Sequence, residues 1–466
     1  NSYDWVPASE VKLGRQPARR YPAADNRSEG DWLAIGAEQE LNGQLLVARD
    51  TYKEGLRQFP DSLDLNRAAG RLAVGLKQYE LAGTCLSKVL DRVSTDRESA
   101  YYLALAAVWR GDLLRARTLL ETAQAYGTFR PAALFALAGL ASRSGDRWLA
   151  LDYLQRVRSE QPDAVRVGCL EVALLRILKE PEQARDRLAY WLRRDPTSSF
   201  LRYEATRLGN KDDALWRHLA GDPERIIEIA ADYIRFGLFS DALDILSRQY
   251  PSAGVVSEPA MPRPDSYPLI AYYRAYCRRA LDQNASPDLT AAAAMPTTYV
   301  FPNRADTLPV LNDAVAANAS DATAQFLLGS LYLSGGMIER AMDAWETARR
   351  INPRIPVLHR NMGTTLLETG GPVDRAVALL EEGTKVDRDN VGLYVALERA
   401  MTRAGRPADQ RARAILSFPN QQALPTALVF RLAAALAEAG RFDEAERQFE
   451  GRFFAREEGG VNVRQV

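Results

Sequence analysis

Residues 322–355 read ATAQFLLGSLYLSGGMIERAMDAWETARRINPRI. Leu328, Gly329 and Tyr332 recur at helical spacing, Gly336 follows as a turn, and Ala341, Trp345 and Ala348 form a second stripe before Pro353. Two periodic stripes broken by glycine and closed by proline predict an antiparallel pair of amphipathic helices. The proline stops the second helix because it cannot continue one and biases its predecessor towards extended backbone. The same layout recurs upstream with a period of 34 residues. Ala48, Ala82, Ala116, Ala150 and Ala184 fall at successive steps, and Pro60, Pro162 and Pro196, like Gly43, Gly111 and Gly145, keep the same register.

In the first such unit Trp32, Ile35 and Gly36 precede the turn at Gly43, and Ala48, Tyr52 and Gly55 precede Pro60. This pattern resembles the tetratricopeptide repeat, over most of the chain. The resemblance implies an all-α fold, a tetratricopeptide-repeat superhelix (α-solenoid) with an irregular middle insertion. Each helix pair would bury its apolar face on its neighbours, with first helices lining a concave groove. Gly36, Gly70, Gly329 and Gly363 on first helices are expected to face the alanines of second helices and let the axes approach closely.

The register places five repeats in 29–198, as units 29–62, 63–96, 97–130, 131–164 and 165–198, after an extended N-terminal strap over 1–28. Residues 199–304 hold a sixth repeat with inserted helices and proline-rich loops. One loop spans Pro251 to Pro268 with five prolines, an aromatic-rich helix spans Tyr267 to Leu281, and 296–304 is irregular. C-terminal repeats fill 305–450, and 451–466 is a tail. The chain begins Asn1-Ser2 and ends without a polar capping helix, which leads us to expect a piece of a longer polypeptide.

Sixty Lys plus Arg balance sixty Asp plus Glu, which argues against a basic nucleic-acid clamp. No apolar run reaches the roughly 18 to 20 residues of a membrane span. Cys85, Cys169 and Cys277 lie far apart in apolar helical contexts and read as core residues. With only His218 and His359 besides, a metal site is not expected; His359 reads as a helix-start hydrogen-bonding group and His218 as surface or capping. Acidic pairs such as Asp212-Asp213, Glu381-Glu382 and Glu457-Glu458 are adjacent, which on a helix points them about 100° apart, away from any shared substrate. Gly370-Gly371-Pro372 is a turn, not a phosphate loop. Neither a catalytic residue nor a cofactor is expected.

Arg and aromatic residues are the types enriched at binding hot spots. The register puts Arg67, Arg71, Tyr101, Leu105, Trp109, Phe135, Arg166, Phe326, Arg360 and Arg399 on the groove face of first helices. The Lys and Asn pairs with which chaperone-binding relatives clamp a carboxylate are missing; Arg67 and Arg71 occupy the corresponding slots of the second unit. Tyr299, Phe301, Asn303 and Arg304 form a loop motif, and polar residues on irregular loops point to function more than core positions do. Tyr267, Tyr272, Tyr273 and Tyr276, with Tyr299 and Phe301, could form an aromatic platform for a sugar ring, but Tyr272, Tyr273 and Tyr276 sit in slots that need large packing residues, so they read as core.

The runs Tyr299–Arg304, Val357–Gly363, Leu269–Tyr276 and Arg456–Gly460 together resemble a bacterial family of unknown function. In that family a galactose-mutarotase-like β-sandwich precedes a tetratricopeptide array. The resemblance covers roughly 200–460 best, and it implies that the helical half is in hand and a sandwich is missing. The expected function is a non-catalytic scaffold that binds a protein partner or the missing domain in its groove. The alternative is the accessory half of a carbohydrate-binding or carbohydrate-active protein. A periplasmic array for polysaccharide export is a third reading, and the location expected is cytoplasmic, with the periplasm open.

Overall fold

The computed structural model describes residues 21–251, 262–420 and 423–452. Most of the expected strap, the middle of the proline-rich loop, and the tail with Arg456–Gly460 lie outside the described residues. The described chain is all-α, with no strand. Its helices are α1 (Glu29–Leu41), α2 (Leu45–Gln58), α3 (Leu63–Gly75), α4 (Tyr79–Arg92), α5 (Arg97–Trp109), α6 (Leu113–Ala123), α7 (Arg130–Arg143), α8 (Arg147–Glu160), α9 (Val165–Ile177) and α10 (Pro181–Arg194). There follow α11 (Ser199–Arg207), α12 (Asp213–Ala220), α13 (Pro223–Arg235), α14 (Phe239–Ser247), α15 (Pro268–Ala280), α16 (Ser286–Ala294) and α17 (Thr307–Ala317). The last are α18 (Ala322–Ser334), α19 (Ile338–Ile351), α20 (Leu358–Glu368), α21 (Val373–Val386), α22 (Val391–Arg403), α23 (Ala408–Leu416), α24 (Thr426–Glu438) and α25 (Phe442–Arg447).

The repeat is written in the backbone. Gly43, Lys77, Gly111, Gly145 and Lys179, one period apart, all adopt left-handed torsions with φ between +62° and +92°. One residue further on, the N–H groups of Gln44, Gln78, Asp112, Asp146 and Glu180 reach back to the carbonyls of Gln39, Ala73, Ala107, Ala141 and Leu175 at 2.8–3.0 Å. This is the Schellman closure that satisfies the last carbonyls of a helix and turns the chain back on itself. First helices start on side-chain caps where the sequence supplies them: Ser28, in a capping box with Asp31, then Ser62 and Asp96.

Tight packing within each pair comes from glycine, whose nearest neighbours are large side chains rather than the expected alanines, with the Ala341 carbonyl also close at Gly329. A Cβ built on Gly36 would lie 2.1 Å from the Tyr52 ring, on Gly70 2.5 Å from Leu86, on Gly168 2.2 Å from Trp191, on Gly329 2.5 Å from Trp345, and on Gly363 2.5 Å from Leu380. The missing side chain makes room for a large apolar or aromatic residue of the second helix. The periodic alanines Ala48, Ala82, Ala116, Ala150 and Ala184 are themselves fully buried.

The chain divides into two compact units between Ala133 and Leu134. In the first, α1 pairs with α2, α3 with α4 and α5 with α6, and successive pairs pack on one another. In the second, one continuous apolar core runs from Leu134 to Met401. The short helices α11 and α12 intervene between the α9/α10 pair and the α13/α14 pair. Two helices had no counterpart in the sequence reading: α16, opened by Pro287 in its first turn and carrying the Ala291–Ala294 run, and α17. Tyr267, Tyr272 and Tyr273 are buried in this core; the Tyr272 hydroxyl donates to Asp321 at 2.8 Å and the Tyr273 hydroxyl lies 3.0 Å from that of Thr307.

Candidate functional site

The groove residues expected in the first unit are engaged by neighbouring side chains. Arg67 pairs with Asp64 at 2.5 Å and with Asp96 of the next pair at 2.9 Å; Arg71 bonds Glu40 of the preceding pair at 2.9 Å and approaches Glu98 at 3.8 Å. Tyr101 is half-buried against Tyr102 and Phe129, with ring centroids 5.3 and 5.6 Å away. Trp109 stacks on Tyr79 at 6.0 Å. Arg71 ties its helix to both neighbouring first helices, and Arg67 ties it to the N-cap of the next one.

In the second unit the sequence-predicted residues disperse. Phe326 is only 2 % exposed and belongs to the core, because it faces the seam where Trp345 donates its indole N–H to the Phe326 carbonyl at 3.1 Å; it does not line a surface. Arg360 is half-buried beside Gly392, where a Cβ would come within 3.0 Å of its guanidinium, and Arg399 is exposed on α22. His359 is buried at the start of α20, 3.4 Å from Glu382 across the hairpin, which differs from the local helix-start role expected of it.

Arg166 and Arg304, 138 positions apart in sequence, meet at one pocket of about 590 Å³. The start of α9 supplies Arg166 and Cys169, the α10–α11 turn supplies Asp195, Ser198 and Ser199, and α12 supplies His218. The wall is α13, whose Arg225, Glu228, Asp232 and Arg235 recur every three or four residues and so share one face. Ile226, Ala230 and Tyr233 turn the opposite face of α13 into the core. That polar stripe was readable as the complement of the apolar slots, and it was missed because only the apolar slots were scored.

The charges of the pocket fall into two sets. Asp232 accepts from Arg166 at 2.5 Å and from Arg235 at 2.8 Å, and Arg235 also clamps the buried Asp306. Burial, with Asp306 and Glu228 nearby, acts to push the Asp232 carboxyl up to about 7, against Arg304. The two short guanidinium contacts favour the ionised form, and charge-assisted bonds of that length support a carboxylate here. Phe135 lies under Arg166 at 5.3 Å and packs edge-on to Phe236. The second set is looser. Arg304 has Glu224 at 3.4 Å and Glu228 at 3.9 Å, and Arg225 has Asp222 at 3.5 Å while donating to the His218 carbonyl at 2.8 Å.

Other groups at the pocket are committed to structure. Asp195 accepts the N–H groups of Thr197 and Ser198, and the Ser198 hydroxyl caps α11. Cys169 lies 3.8 Å from that hydroxyl, and burial pushes its thiol up to about 12. Burial, then Arg225 and Arg202, lower the pKa of His218. Beside Arg304 the loop alternates: Val300 and Pro302 are buried while Tyr299, Phe301 and Asn303 are exposed. Tyr299 holds a left-handed φ of +58°, uncommon for a bulky residue. Among the described residues no cluster of three or more His, Cys, Asp or Glu is placed to hold a metal ion, and no helix is long and apolar enough to cross a membrane.

No family model matches the chain, and no curated protein matches it. Solved structures similar to parts of it include three. The crystal structure of MamA protein matches with a TM-score of 0.33 and 18% identity, over 37% of this chain and 93% of that one. Pseudomonas aeruginosa pilF matches at 0.33 and 15%, over 45% of this chain and 89% of that one. The Naa15/Naa10 complex bound to HypK-THB matches at 0.29 and 15%, over 90% of this chain and 70% of that one.

Proposed function

We propose that the chain is a non-catalytic helical-repeat scaffold that binds a protein partner, and that the pocket along α13 is its principal contact. The observation that carries this reading is the state of the pocket's reactive groups. The Cys169 thiol is buried with its pKa raised, the Ser198 hydroxyl is spent on a helix cap, and the imidazole of His218 faces Arg225 at 3.3 Å with no carboxylate bonded to it. A nucleophile needs a base within hydrogen-bond reach and a group to orient that base, and these side chains are not arranged so. The guanidiniums, by contrast, suit recognition of a partner's polar surface.

Affinity capture with the full chain, comparing the parent with an Arg166→Glu/Arg304→Glu variant of unchanged helicity, tests this. A partner retained by the parent and lost by the variant is the expected result. Saturable turnover of a substrate by the chain, abolished by the same substitutions, would sink the reading. The exposed rings of Tyr299 and Phe301 favour a second reading, the accessory half of a carbohydrate-binding protein. Calorimetric titration with a panel of hexoses and oligosaccharides tests it, and no heat of binding with any of them would count against it.

A further inference from the structure

We infer that the pocket along α13 takes an acidic side chain of an extended partner segment, held by Arg225 and Arg304, while an apolar residue of the same segment rests on Tyr299 and Phe301. The inference builds on the scaffold reading and adds the chemistry of the partner.

The two sets of arginines at the pocket differ in how closely carboxylates hold them. Arg166 and Arg235 spend short contacts on Asp232 and Asp306. The nearest carboxylates to Arg225 and Arg304 stand at 3.5 and 3.4 Å, longer than the roughly 2.7–2.9 Å of a charge-assisted hydrogen bond. A guanidinium carries five N–H donors in a planar fork matched to a carboxylate, and both of these side chains are solvent-accessible. Glu228 is the competing anion already at the pocket. It is 65% exposed and its ion pair with Arg304 is 3.9 Å long, so an incoming carboxylate displaces little.

The loop beside Arg304 forms an aromatic ledge. Phe301 is 71% exposed and Tyr299 54%, while Val300 and Pro302 anchor the strand of loop between them. Glu224 braces the base of the loop from α13, since it accepts from the Tyr267 hydroxyl at 2.6 Å as well as from Arg304. Tyr299 is held at a left-handed φ of +58°, a strained position for a bulky residue. At no more than about 3.6 Å per residue, Phe301 lies within about 11 Å of Arg304 and Tyr299 within about 18 Å. A peptide of about three to six residues spans both features. A free oxyanion would engage the arginines and leave the two rings in water, so the pairing favours a peptide.

Fluorescence anisotropy with the full chain tests the inference. The probes are a labelled peptide Gly-Ser-Glu-Asp-Phe-Leu-Glu-Asp-Ser-Gly, its Gln/Asn counterpart lacking charge, and a counterpart with Ser for Phe and Leu. The charged, apolar peptide should bind, neutralising its acids should weaken binding about tenfold, and removing its apolar pair about threefold. Arg225→Gln and Arg304→Gln should each weaken binding about tenfold with helicity unchanged. Equal binding of charged and neutral peptides, indifference to both Arg substitutions, or no binding at all overturns the inference. So does binding of millimolar inorganic phosphate that depends on both arginines when the peptide does not bind. If a captured partner is retained by both Arg→Gln variants, the inference fails while the scaffold reading stands.

Discussion

Lys77 and Lys179 sit in left-handed backbone where the other members of their register are glycines. The Cβ of an L-residue crowds the following carbonyl there, at roughly 1–2 kcal/mol, part of which glycine would return as entropy lost on folding. Lys179→Gly should therefore raise stability by about 0.5–1 kcal/mol in urea unfolding, and unchanged or lower stability would contradict the strain argument. The opposite holds at Gly329, where any side chain meets Trp345 and the Ala341 carbonyl. Gly329→Ala should cost about 1–3 kcal/mol by overpacking, read as a lower urea midpoint with an unchanged slope. The same geometry explains why the glycine was legible and its partner was not. Period marks Gly36 with Gly70 and Gly329 with Gly363 as special, but which second-helix residue fills the space depends on how the helices rotate about each other.

At the scale of elements, the repeats from 29 to 198 read directly from the sequence because Gly, Ala and Pro recur in one register. The middle did not. Helices α16 and α17 lack the glycine turn and large aromatic of the repeat, so tertiary packing rather than pattern defines them. The pocket was half legible for a related reason: Arg166 and Arg304 stand out by slot and by loop, whereas Arg225 and Asp232 are visible only once the core face of α13 is known. The insertion is bound in by charge. Arg176 on α9 donates to Glu204 on α11 at 2.7 and 2.9 Å and to Asp241 on α14 at 2.8 Å, and Glu204 is fully buried. Arg176→Ala strands that carboxylate, and chemical denaturation should report a loss of about 3–5 kcal/mol; a loss below about 1 kcal/mol would show that the joint does not depend on it.

A second tie within the insertion gives a pH signature. Arg202, with the N–H of Leu215, holds the Asp212 carboxyl below the usual carboxylate range, burial opposing. A depressed carboxyl adds stability above the unfolded value of about 4, and that stability fades as pH falls through and below it. The parent should exceed Asp212→Asn in stability at pH 7, with the gap narrowing as pH falls below about 4. A gap independent of pH would assign the effect to helix capping alone.

For the whole molecule, the neutral balance of sixty cations and sixty anions has a structural use. Only seven of the cations are Lys. Arginines reach carboxylates about one repeat away: Arg67 to Asp96, Arg71 to Glu40, Arg349 to Glu382, Arg406 to Asp374, Arg431 to Glu398 and Arg441 to Asp409. Each exposed pair is worth little alone, but together they fix how one helix pair sits on the next. Against this background of paired charge, Arg225 and Arg304 have their nearest carboxylates only at 3.5 and 3.4 Å, and it is there that we propose a partner's acidic side chain binds.

Hydrogen–deuterium exchange on the full chain, with and without the acidic peptide probe, measures that claim most directly. The account predicts added protection concentrated in α13 and the loop of residues 297–306, and lost in Arg304→Gln. Protection centred on the Arg67, Arg71 and Tyr101 face of the first unit, or none anywhere in the described helices, would contradict it.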